Sequence, residues 1–503
     1  MKNVNILSIL VLLILGVNSE NSSYDYSSYS AISTNTDLSG GTYTSTTSDQ
    51  SVVYITQTGK TISSSTLEKT SGDSSNTENS EFYGVNAAVL VQGGGVTITD
   101  GTITAAAKGA NAVCATNGGT VTITGTTITS TASGSARGLH ATYGGSITGN
   151  KVTISSTGGS CANLATDRGE GTVTCTECTL STEGAGSPLI YSTGTITANS
   201  CTGTASGAQM VVVEGKNTAT VEDSTFKCTG VGNRNDVDKC GIMLYQSMSG
   251  DADTGTSTFN CKSSSMEILS TSSVYSSAPM FFITNTDAVI KLEGCTFTYG
   301  SGTFLDAEGT SEWGTSGSNG GAVTMTLTNQ NIEGDFVVDS SSSLSITMVN
   351  SSIKGKINNS KVSSTISITL DANSAITLTG DSYISSLTNA DTTGANINKG
   401  SYTFADYNGN DYTASTSSGT TSSGTTSSDT TSSGTTSCDT TSSDTTSNNT
   451  ASNNTSVNDT TDNDNNFTII NKSNFFSISF YLCLKQLYML LPNLQVHLHH
   501  FLR

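Results

Sequence analysis

The sequence predicts an all-β solenoid of roughly ten to thirteen short stacked coils, followed by a disordered Ser/Thr-rich stalk. Three observations carry that reading. A degenerate repeat with a period in the low twenties fills the middle of the chain. Within each copy, small or apolar residues recur at offsets 0, 2, 5 and 7. Turn residues punctuate the copies, with 51 Gly and only 3 Pro among 503 residues.

In chain order, the first element is a secretory signal at residues 1–19. Lys2 gives the charged start, Ile6 to Val17 is an apolar run too short to span a bilayer, and Val17-Asn18-Ser19 is the cleavage site. An uncleaved anchor is the alternative. Residues 20–60, rich in Tyr and Ser, hold an N-terminal cap and the first coil, because an open solenoid end is a strand edge that needs a cover.

The solenoid occupies residues 61–412. Val96-Thr-Ile-Thr-Asp-Gly-Thr-Ile103 aligns with Val121-Thr-Ile-Thr-Gly-Thr-Thr-Ile128, and further copies start at Ile147, Val173, Ile196, Ala219, Phe259, Ile290, Met325 and Ile346. Val173, Cys175, Cys178 and Leu180 match Ile290, Leu292, Cys295 and Phe297. Offsets 0 and 2 are the inward face of one strand, the step of three marks a corner, and offsets 5 and 7 open the next strand. A second strand motif recurs later in most copies, as in Gly138-Leu-His-Ala141, Pro188-Leu-Ile-Tyr191, Ile242-Met-Leu-Tyr245 and Met280-Phe-Phe-Ile283. Such a coil cannot bury its own apolar face, so stacking supplies a narrow core of Val, Ile, Leu and Ala. Insertions hold Asn233 to Lys239, Ser247 to Gly255 and Trp313 to Gly321, and map to loops over one face. Residues 380–412, with Tyr383, Phe404, Tyr407 and Tyr412, close the far end.

These repeats and turns resemble the right-handed parallel β-helix, the pectin-lyase-like fold, over roughly residues 40–400. Residues 413–466 follow as a Ser/Thr/Asn-rich stalk that cannot bury apolar surface. N-glycosylation sequons cluster there, with earlier ones at Asn21, Asn350 and Asn358. Residues 467–503 form an apolar tail of uncertain status that matches a lipid-anchor signal poorly. A solenoid head on a Ser/Thr stalk resembles microbial adhesin-like surface proteins.

Charge narrows the function. With 20 Lys+Arg against 40 Asp+Glu, the net charge of −20 argues against nucleic-acid binding. Many members of the resembled fold cut or eliminate acidic polysaccharides, which needs paired carboxylates, or Ca²⁺ ligands with a basic group. The polygalacturonase-like set and a paired-arginine lyase motif are absent from the sequence. No Asp-x-Asp-x-Asp-Gly calcium loop occurs, so no metal or other cofactor is expected.

The second strand motif and its turn place His140, Thr142, Tyr143, Thr166, Asp167, Arg168, Tyr191, Glu214, Tyr245 and Gln246 at near-equivalent positions. On a β-helix these make one shallow face. Tyr rings stack on sugars, and Asp, Arg and Gln bond hydroxyls. The candidate ligand-binding residues are therefore Tyr143, Asp167, Arg168, Tyr191, Tyr245 and Gln246; in an enzyme the catalytic candidates are Asp167, Arg168 and Glu214. An ordinary solvated face is the competing reading. Thr97/Thr99, Thr122/Thr124, Thr172/Thr174, Thr195/Thr197 and Thr218/Thr220 form an outward ladder, interrupted at Thr148. It resembles some ice-binding surfaces, although strand propensity alone also explains it.

Eleven Cys is an odd number. Cys178 and Cys201 share offset 5 in adjacent coils, and Cys228 and Cys240 flank an insertion. Both are candidate disulfide pairs, the alternative being an interior ladder of small hydrophobes. The expectation is a secreted or cell-surface adhesin-like protein that binds a polysaccharide, a cell-surface glycan or another surface. A polysaccharide lyase or hydrolase and a structural wall protein are the alternatives.

Overall fold

The computed structural model describes residues 23–234 and 237–412, which form an all-β parallel β-helix. The expected signal, stalk and tail lie outside the described residues.

Each coil supplies three short strands, and each strand pairs in parallel with its counterpart one coil on. Thr120–Thr124, Thr127–Ser130 and Leu139–Ala141 pair with Ser146–Asn150, Thr153–Ser156 and Leu164–Thr166. Three ladders result, here called first, second and third in that order. First-ladder strands begin at residues 38, 60, 95, 120, 146, 172, 195, 218, 256, 286, 321, 343, 366 and 386, which makes fourteen turns. The expected range stopped one short. The copies at 60, 366 and 386 escape the repeat because they lack its Thr-x-Thr and corner-Gly signals, whereas the copy at 38 has Gly40 and Gly41 at its corner but a first strand of only two residues. Lys60–Lys69, for instance, turns its corner at Ser64 with no glycine.

The step of three at the corner has a physical cause. The residue at offset 4 takes the left-handed conformation, with φ of 57° at Asp100, 53° at Lys151, 54° at Glu177 and 48° at Asp223. That conformation costs a non-glycine residue about 1–2 kcal/mol, and it turns the following side chain inward. The buried corner residues then bond one another from coil to coil. Cys201 N–H donates to Ser224 Oγ at 2.9 Å, Ser224 N–H to Ser264 Oγ at 3.0 Å, and Ser351 N–H to Ser374 Oγ at 3.1 Å.

The offset residues form the core: Val173, Cys175, Cys178 and Leu180 are all buried. The interior is not uniformly aliphatic, however. From Phe226 onward, Phe259, Phe281, Phe304 and Phe336 widen it, with ring centroids 5.2 Å apart for Phe281–Phe304 and 5.6 Å for Phe304–Phe336. Outward, Thr97, Thr122, Thr148, Thr174, Thr197 and Thr220 stand in one unbroken column. The Thr-x-Thr pairing itself is interrupted at this coil, as expected, because Asn150 stands between Thr124 and Thr176 in the next outward column while Gly149 faces the core.

One element was not expected. Within the second coil, the segment between its second- and third-ladder strands carries the helix Thr77–Tyr83, capped by Asn76, whose side chain accepts from Glu78 N–H, and stopped by Gly84 at φ 71°. Near the N-terminus, Tyr26 and Tyr29 pack on Tyr54, with centroids 6.4 and 5.0 Å away, so they cover the outer face of the third ladder. At the other end Tyr412 packs on buried Phe404 at 5.6 Å.

The nine described cysteines are free and buried, so neither expected disulfide is formed. Cys178 and Cys201 point the same way in one corner column, and Cys178 N–H donates to Cys201 Sγ at 3.4 Å. Parallel side chains do not offer the converging Cβ geometry of a bridge. Cys228 faces the main core, whereas Cys240 packs with Val212, Met243, Phe282 and Trp313 on the opposite side of the third ladder. The sequon residue Asn358 is 1% exposed, with Nδ2 donating to Ser363 O, Tyr383 O and Tyr407 Oη.

Candidate functional site

The outward face of the third ladder carries the site. Strand pairing stacks Tyr191, Val212, Met243 and Phe282 in one column, and Glu214 beside Tyr245 in the next. Strand alternation places these side chains outside the coil. Three insertions then wall them in. Asn233, Arg234 and Asp238 of the first, Ser247, Ser249 and Asp251 of the second, and Trp313 of the third bound a cavity of about 230 Å³ that is also lined by Tyr191, Glu214 and Tyr245. That volume lies below the usual range of about 300–1,000 Å³ for drug-sized ligands and suits one small ring.

Each wall is anchored. Asp238 Oδ1 accepts the backbone N–H groups of Asn233 and Arg234, both at 2.8 Å. Asp251 in the second loop pairs with Arg168 at 2.7 Å. Trp313, the chain's single tryptophan, is buried against Met243 and Phe282 and meets Tyr245 edge-on at 5.2 Å.

Glu214 lies at the floor and is 1% exposed. Its Oε2 accepts from Tyr191 Oη at 2.5 Å and Tyr245 Oη at 2.7 Å, while Oε1 has no partner among the described residues. Burial pushes both phenols well above their ordinary range, followed by Tyr245 and then Glu214 for Tyr191 and by Glu214 for Tyr245, so they remain donors.

Next to this cavity lies a buried ion network. Arg137 Nη1 bonds Asp167 Oδ2 at 2.6 Å, and Ser135 Oγ donates to Glu81 of the helix. Burial raises the Asp167 carboxyl to about 6 even though Arg137 pulls the other way. Burial first, and Arg137 second, lower His140 to about 3. His140 Nε2 bonds Glu81 O at 2.7 Å.

The structure thus splits the expected cluster. Tyr191, Glu214 and Tyr245 come together at the cavity. Asp167 is 3% exposed and is used by Arg137. Arg168 lies 3.9 Å over the Phe82 ring as well as pairing Asp251. Tyr143 stacks on Tyr83 at 5.7 Å, away from the cavity. Gln246 is buried and donates to Ser247 O and Ala252 O, holding its own loop. Residues missed as site members are Arg137, Arg234, Asp238, Asp251 and Trp313. The last four belong to insertions that the period did reveal, whereas nothing local marks Arg137.

A second group of carboxylates lies further along the same face. Asp306 follows Phe282 in the outward column, and Glu308 and Asp339 lie nearby. Burial, then Glu308 and Asp339, raise Asp306 to about 7, and its Oδ1 has no partner among the described residues. Among the described residues, no three His, Cys, Asp or Glu side chains are grouped so as to hold a metal ion, and no helix is long and apolar enough to cross a membrane.

No protein-family model, curated protein sequence or solved structure matches the chain.

Proposed function

We propose that this chain is a secreted, cell-surface, adhesin-like β-helix that binds a glycan through the loop-walled cavity, held out on its Ser/Thr-rich stalk. One observation carries the reading: three separate insertions converge on a single cavity lined by Tyr191, Tyr245 and Trp313, with Glu214, Arg234 and Asp251 at hand. Aromatic faces suit the apolar side of a sugar ring, and the charged groups suit its hydroxyls. The small volume points to one sugar unit, such as a chain end or a branch. The test is retention of the full chain on a panel of plant and microbial polysaccharides, with released sugar assayed in the supernatant. Retention that Tyr245→Ala abolishes supports the reading. Absence of any glycan, cell or matrix ligand would sink it and favour a structural wall protein.

The second reading is a polysaccharide lyase or hydrolase. Asp167 and Arg168 do not line the cavity and are each held by protein partners, which argues against direct contact with a substrate. Asp306 favours this reading, because a carboxyl titrating at about 7 can donate a proton near neutrality. Sugar release that Asp306→Asn abolishes would establish it.

A further inference from the structure

Two pairs of buried sulfurs stand apart from the other described cysteines. Cys178 Sγ is 2.7 Å from Cys175 Sγ, and Cys295 Sγ is 2.9 Å from Cys261 Sγ. Even two carbon atoms prefer about 3.5–4.0 Å, and sulfur is larger, so both separations are too short for unreacted thiols at rest. They remain longer than the roughly 2.05 Å of a bond.

The fold explains why these pairs meet. Cys175 and Cys261 share the offset-2 column, connected through Ala198 and Val221 by strand pairing. Cys178 and Cys295 share the corner column at offset 5. Each pair therefore joins the same two columns across the same corner. One pair lies within a coil and the other links a coil to the next. Their side chains converge from two sides of a corner, which the parallel side chains of Cys178 and Cys201 do not. Cys178, Cys201 and Cys295 all approach the carbonyl two residues back, at 3.5, 3.3 and 3.5 Å, so it is the short sulfur–sulfur approach that sets the two pairs apart.

We propose that Cys175–Cys178 and Cys261–Cys295 are the disulfides of the oxidised protein. Each closes by exchange with a small-molecule disulfide such as oxidised glutathione. A cysteine thiolate breaks the donor's S–S bond, forming a mixed disulfide and releasing one thiolate. The partner cysteine then displaces the second. One protein S–S bond forms, two electrons pass to the donor, and the two thiol protons end on the two reduced glutathiones. All four sulfurs are buried in the finished coil, so the exchange takes place during folding. The Cys261–Cys295 bridge spans 34 residues and ties together the coils that hold Phe282 beneath Trp313.

The test refolds the reduced full-length protein in a glutathione redox buffer, quenches it with acid, denatures and alkylates it without reduction, and maps the peptides by mass spectrometry. Cleavage after glutamate separates Cys175, Cys178 and Cys201, because Glu177 and Glu183 lie between them. The expected result is a Cys175 peptide joined to the Cys178 peptide, a Cys261 peptide joined to the Cys295 peptide, and alkylated Cys114, Cys161, Cys201, Cys228 and Cys240. Cys261→Ser should remove only the second crosslink. Full alkylation of all nine, or a Cys178–Cys201 or Cys228–Cys240 crosslink, would overturn the proposal.

Discussion

The Tyr191–Glu214–Tyr245 arrangement makes a quantitative prediction. Glu214 is 1% exposed, and among the described residues its side-chain hydrogen bonds come from the two phenols alone, at 2.5 and 2.7 Å. Tyr191→Phe or Tyr245→Phe keeps the ring and removes one donor. Each single change should cost about 1–1.5 kcal/mol, because the other donor still serves the carboxylate. The double variant leaves a buried carboxylate with no donor at all, which costs about 3–5 kcal/mol. The two changes should therefore be super-additive by roughly 1–2 kcal/mol, above the 0.3–0.5 kcal/mol scatter of independent sites. The assay is urea unfolding of wild type, singles and double at pH 7, with equal slopes required. Additive losses would refute the reasoning, and would mean that Glu214 is hydrated through the cavity.

Other consequences follow from the same structure. The folded-state value of His140 is lowered to about 3, so its contribution is intact above the unfolded value near 6.5 and is lost as pH falls toward 3; His140→Gln should flatten that acid limb of a stability–pH profile. Asp306 is raised to about 7, so its contribution is present below about pH 4 and lost as pH rises through 7; Asp306→Asn should raise the unfolding midpoint at pH 8 and leave it unchanged at pH 3. Phe281 is fully buried with three Phe rings within 5.8 Å, so Phe281→Ala should cost about 3–5 kcal/mol in denaturant unfolding. On a glycosylating host, peptide mapping should find Asn358 unmodified, because its Nδ2 is buried and bonded in the folded coil, while exposed Asn350 is open to modification.

How much of this was legible depended on distance along the chain. The offsets 0, 2, 5 and 7 report one strand, one left-handed corner and the next strand, so Val173, Cys175, Cys178 and Leu180 could be assigned to the core from sequence. Coils whose corners carry Ser in place of Gly or Asp, such as Lys60–Lys69, were not legible by that signal. Tyr191 and Tyr245 were visible because each ends the same strand motif. Asp167 and Arg168 appeared equivalent to them but are neighbours in sequence, and alternation sends their side chains to different partners. Arg137 and Glu81 acquire their roles only when the helix Thr77–Tyr83 docks beside the third ladder. The inserted loops were evident as breaks in the period, but the period did not show that they close on one cavity.

The most direct test of the central claim uses the chain's only tryptophan as its reporter, since Trp313 lines the cavity beside Tyr245. The full chain is titrated with the glycan it retains, and tryptophan emission is recorded alongside binding. The account predicts a saturable change in emission that tracks binding and disappears together with it in Tyr245→Ala. Glycan binding that proceeds at full strength in Tyr245→Ala, with no change in Trp313 emission, would contradict it and move the ligand to another face of the solenoid.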